Sequence, residues 1–102
     1  MAHINFKNLG FTPAPGAASH RLRIFPKDAT PTPTEVYAAE YADVGDDGVI
    51  DTAEITSIGG ASIEGRFDLY LTAVDENDNE SDFAVKRDVP LDLVAPPAPV
   101  WL

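Results

Sequence analysis

Cysteine is absent from the sequence, which excludes disulfides and thiolate metal sites and leaves the fold to core packing alone, whatever its redox compartment. Basic residues are scarce. Against 7 Lys and Arg stand 17 Asp and Glu, a formal charge of −10 that repels phosphate backbones and anionic lipid surfaces. Nucleic acid and membrane are therefore not expected as partners. Long apolar runs are missing too. No stretch approaches the roughly 20 apolar residues that span a bilayer, and Met1 to Leu9 lacks the basic flank and apolar run of a signal peptide. The chain reads as soluble, and as either cytoplasmic or trimmed of a leader. Histidine occurs only at His3 and His20, neither beside a Gly-x-Ser-x-Gly motif, so no catalytic constellation is assembled and no enzyme or cofactor is expected.

What is present suffices for one core. The 102 residues match one domain, and 44% apolar with 9% aromatic residues can offset the ordering entropy of folding. Ile4, Phe6, Leu9 and Phe11 predict a strand with an irregularity near Asn8, closed by Thr12 to Gly16. His20 to Phe25 alternates as a second strand, with Leu22 and Ile24 on one face and Arg21, Arg23 and Phe25 on the other. Asp28 to Thr34 is a proline-rich loop. Glu35 to Ala42 fits either a short helix or an edge strand. Asp47-Gly48 predicts a tight turn leading into a strand over Val49 to Ile58, closed by Gly59-Gly60. Arg66 to Asp75 has the clearest period of two: Phe67, Leu69, Leu71 and Ala73 share one face, Asp68, Tyr70, Thr72 and Val74 the other. A polar turn and a last strand containing Phe83, Val85 and Val89 follow. About six strands without long helical crossovers predict an all-β, two-layer antiparallel β-sandwich.

The stretch Gly65 to Ser81, with its alternating strand ending Thr72-Ala73-Val74-Asp75 and its turn ending Asn79-Glu80-Ser81, resembles the sixth strand and following hairpin of fibronectin type III domains. Phe11 to Arg23 is similar to that family's second strand, Pro-rich turn and third strand, with Phe11 where the family has a core Trp. Ala95 to Leu102 resembles the family's Pro-rich opening and first strand, yet here it comes last. The resemblance implies a fibronectin type III/immunoglobulin-like sandwich over residues 1–94 followed by a tail over 95–102. Three readings of the tail stay open: the stub of a following domain, a first strand folded back in its own sandwich, or a strand given to a neighbouring molecule. Burial of Val100, Trp101 and Leu102 would return roughly 1.5 to 3 kcal/mol per side chain, so Pro97, Val100, Trp101 and Leu102 are candidate interaction residues. The family further implies a structural or protein-interaction module of a bacterial surface or secreted assembly, with self-association or a protein partner.

Asp43 to Glu54 follows the twelve-residue calcium loop at Asp43, Asp47, Gly48, Asp51 and Glu54, so Asp43, Asp47, Asp51 and Glu54 are candidate calcium ligands. Gly45 occupies the third ligand position, and Ile55 to Ile58 reads as strand where an exiting helix belongs, so the competing reading is an acidic Asp-Gly turn. A calcium-dependent adhesion or carbohydrate-binding module is accordingly the alternative function. Asp75 to Asn79 resembles the calcium motif of cadherin linkers, but a further strand follows and a hairpin turn fits better. His20 reads as a sheet-surface residue, Arg21 and Arg23 as a solvated strand face, and Tyr37, Tyr41 and Tyr70 as exposed aromatics available for contact.

Overall fold

The structure is a computed structural model and describes residues 8–60, 63–93 and 97–101. In chain order the elements are β1 (Asn8–Gly10), β2 (Ser19–Pro26), α1 (Pro33–Ala38), β3 (Ala42–Asp43), β4 (Val49–Asp51), α2 (Thr52–Gly59), β5 (Glu64–Val74) and β6 (Ala84–Asp92). A four-stranded antiparallel sheet runs β3-β2-β5-β6, and a two-stranded antiparallel sheet pairs β1 with β4. The β-rich, two-sheet expectation holds. Ile4 and Phe6, expected in the first strand, lie outside the described residues.

The inner faces of the two sheets meet through one core. Leu22, Leu69, Val89 and Leu91 of the larger sheet pack with Ile50 of β4, Val44 and Ile55, and Leu9, Phe11, Ile24 and Leu71 close around them. The predicted alternation of β5 is what permits this: every second side chain projects to the same face. Gly48 locks the small sheet to the chain beyond β1. Its φ is +77°, its carbonyl accepts from the Phe11 N–H at 2.9 Å, and an added Cβ would lie 2.8 Å from the Phe11 oxygen.

Two helices depart from an all-β architecture. Glu35 to Ala42 takes the helical alternative, since Val36, the centre of the edge strand that also fitted, lies in α1; the two-residue strand β3 begins only at Ala42. Thr32 caps α1, accepting from the Glu35 N–H while Glu35 accepts from the Thr32 N–H, with Pro33 in the first turn. The strand expected over Val49 to Ile58 stops at Asp51, and α2 takes the rest. The reason is local: Asp51 and Glu54 form a second reciprocal cap, Gly60 ends the helix at φ +89°, and Ile55 sits one turn from the cap, buried in the core. The β-branched residues that suggest a strand serve here as the apolar stripe of a helix.

The outer face of the large sheet is covered rather than bare. Phe25 meets Tyr70 edge-on at 5.2 Å between ring centroids, Tyr70 meets Phe83 at 5.2 Å, and Tyr37 of α1 meets Phe83 at 5.8 Å. Tyr70 is therefore buried, at 3% exposure, and only Tyr37 and Tyr41 remain as exposed aromatics of the three. In β6 the register slips between Val89, opposite Phe67, and Lys86, opposite Leu69. The slip is a bulge with Asp88 at φ +57°, and the buried Asp68 carboxylate accepts from the Asp88 N–H at 2.9 Å and from Arg87 at 3.2 Å.

Candidate functional site

Among the described residues, the two sheets leave one side of the sandwich open. β1 has no partner strand on its outer edge among the described residues, and β6 is the edge strand of the facing sheet. Between these edges lies an apolar groove of about 170 Å³, walled by Leu9, Gly10 and Phe11 on one side and Ala84, Val85 and Lys86 on the other, over a floor of Leu22, Leu69 and Leu71. The sequence shows each of these side chains as part of a strand but not the groove between them, because the groove depends on which strand edges the fold sets side by side.

Pro97 to Val100 and Trp101 lie in no strand and are exposed, Val100 at 87% and Trp101 at 98%. Leu102, the fourth candidate interaction residue, lies outside the described residues, as do 95 and 96 of the tail. Among the described residues Val100 and Trp101 are thus the most exposed large hydrophobic side chains, ahead of Tyr37, Tyr41 and Val49 of β4. The segment Pro97 to Trp101 carries no charge in a chain of net charge −10.

The four candidate calcium ligands are each engaged by nearby backbone. Asp43 accepts from the Gly45 N–H at 3.0 Å and Asp47 from the Val49 N–H at 3.0 Å. Asp51 and Glu54 form the α2 cap at 2.9 Å in each direction. Among the described residues no group of three or more His, Asp or Glu side chains is placed to hold a metal ion. The helix that the calcium-loop reading lacks is present, but it is held by two of the carboxylates that the loop would give to the ion.

A second feature is a polar cluster on the outer face. Arg23, expected on a solvated face, is 1% exposed; its Nη1 donates to Glu80 at 2.7 Å and its Nη2 to the Tyr37 carbonyl at 3.4 Å. Its guanidinium also lies 5.2 Å from the Tyr41 ring centroid, while Arg21 lies 4.5 Å from the same ring and pairs with Glu80 and Asp78. Burial raises the Glu80 pKa, but hydrogen bonds from Arg23 and Thr72 and the charges of Arg23 and Arg21 outweigh it, holding the carboxyl below its ordinary range. The correction has a simple cause: α1 and the chain after it fold across this face, and Glu80 from the β5–β6 turn reaches in with a matching charge.

His20 is also not a surface residue. At 2% exposure it tilts against Phe11 at 4.8 Å, its Nε2 accepting from the Ala14 N–H at 3.1 Å and its Nδ1 facing the Gly45 carbonyl at 2.9 Å. An imidazole with one nitrogen accepting from backbone donates from the other, so His20 ties the β1–β2 loop to the acidic loop as a neutral tautomer. The even-numbered alternation of β2 with Leu22 and Ile24 is the signal that could have placed it inward.

Comparison with protein-family models, with curated proteins and with solved structures finds no match to this chain.

Proposed function

We propose that this chain is a non-catalytic structural or protein-interaction module, a sandwich of the fibronectin type III/immunoglobulin-like kind that associates through its C-terminal segment. Trp101, an indole at 98% exposure on a segment outside the sandwich, is the observation that carries the reading. Isolated surface hydrophobes are ordinary, but Val100 and Trp101 together on an uncharged run favour a surface that is covered in use. The strand order supports the family. With β1 taken as the second strand, β2, β5 and β6 become the third, sixth and seventh and share a sheet, while β1 and β4, the second and fifth, share the other. Immunoglobulin-like sandwiches are partitioned in this way. The setting that fits is a bacterial surface or secreted assembly.

The test is the mass of the full chain across a concentration series by analytical ultracentrifugation. The parent chain associates with rising concentration, and the Val100→Ser/Trp101→Ser double variant, changed only at exposed positions, stays monomeric. A strictly monomeric parent, or an equal association of both, would remove the reading.

A further inference from the structure

We infer that the groove between β1 and β6 receives Pro97 to Trp101 of a second copy of this chain, added as a strand antiparallel to β1, so that copies join head to tail. The inference rests on the proposed role of the C-terminal segment and adds its receptor.

Strand direction decides between a copy's own segment and its neighbour's. Phe11, at the end of β1, packs on His20 at the start of β2, and the β2 start pairs with the β5 end, beside which β6 begins. β1 therefore runs toward the end of the sandwich from which β6 runs away. A strand antiparallel to β1 must start at the Ala84 end of the groove. The chain leaves β6 at Asp92, opposite Glu64, whereas Ala84 lies opposite Leu71. At the rise of an antiparallel strand that separation is about 23 Å. From Asp92 to Pro97 the backbone reaches about 18 Å even when fully extended. A segment of the same molecule therefore cannot pair antiparallel to β1, whereas a second copy stacked in the same orientation would offer its groove mouth at the end where β6 finishes.

The proline pattern fits an added strand with one usable edge. Successive residues of a strand present their N–H and C=O to opposite edges, so Ala98 and Val100 share one edge and Pro97 and Pro99 the other. Ala98 and Val100 offer complete donor and acceptor sets to β1. The opposite edge lacks two donors and resists further strand addition. Strand addition of this kind takes affinity from backbone bonds and selectivity from side chains entering pockets, here Leu9, Phe11, Leu22 and Leu71. An uncharged segment also approaches a second copy of charge −10 without like-charge repulsion of its own.

The chain holds no cysteine, so thiols can be placed at will. Full chains carrying Ala84→Cys or Ala98→Cys, both exposed positions that the inference places side by side at the groove mouth, are mixed and oxidised with diamide. The mixed dimer is expected in excess over either homodimer, and the doubly substituted chain is expected to give a ladder on non-reducing gels. A synthetic peptide of residues 95–102 in excess collapses the ladder, and the same peptide with Trp101→Ala does so at a concentration about tenfold higher, as for a central interface aromatic. An intramolecular bridge in the doubly substituted chain overturns the inference. So does tail-dependent association without the mixed dimer, which would leave the proposed function standing with its receptor elsewhere.

Discussion

Arg23 of β2 donates from Nη1 to Oε2 of Glu80 at 2.7 Å, the same carboxylate oxygen accepts from the Thr72 hydroxyl, and Oε1 accepts from Arg21, so one acid from the β5–β6 turn serves three side chains of the sheet. The pair pins the turn to the face that α1 covers. Removing one partner leaves a buried charge, and Glu80→Ala is expected to lower unfolding free energy by about 3 kcal/mol. An apolar replacement of both, Arg23→Met with Glu80→Met, is expected to cost much less than the single change. Urea unfolding of the parent, single and double variants checks the order; a double variant as unstable as the single would contradict it.

Acid is expected to weaken the fold through the same residue. Glu80 titrates below its ordinary value, as do Asp88, held down by Arg66, and Asp75, held down by Asn79. A depressed folded pKa gives stability that is complete above the unfolded value, about 4, and lost as pH falls through the folded one. Protonation also relieves the −10 charge, an opposite effect that salt screens. Melting temperature followed from pH 6 to pH 2.5 in added salt is expected to fall more steeply for the parent than for Glu80→Gln. Parallel curves would mean that Glu80 carries none of the dependence.

His20→Ala is expected to destabilise by about 2 to 3 kcal/mol, since it empties a buried site against Phe11 and strands the Ala14 N–H and Gly45 carbonyl. Thermal unfolding checks the size. A loss under about 0.5 kcal/mol, typical of a surface change, would contradict the buried role.

The acidic loop is expected to act as a helix start. Asp51→Ala should cost about 1 kcal/mol through loss of the α2 cap, and millimolar calcium should leave the melting temperature of the parent chain unchanged. A ligand that binds only the folded state must raise that temperature, so an upward shift would restore the calcium-dependent alternative.

The large sheet was readable because β2 and β5 alternate cleanly and their turns carry Pro, Asp and Asn. The helix at Thr52 was not, because Ile55, Thr56 and Ile58 have strand-forming side chains and only the Asp51 and Glu54 spacing signals a cap. Arg23 and His20 look like surface residues by type. Their burial depends on partners distant in sequence, Glu80 and Gly45, which pairing within a strand does not reveal. Of the candidate sites, the apolar tail was visible as residues. The groove depends on two strand edges brought together only by the fold.

The departure of the chain at one end of the sandwich and the mouth of the groove at the other bear on how a joined array would take load. If copies join as inferred, tension drawn along β6 would pass into the donated strand parallel to its axis, so its hydrogen bonds to β1 would be sheared together rather than peeled one by one. A joint so loaded would resist pulling better than one peeled bond by bond, with each copy's own fold as the spacer between joints.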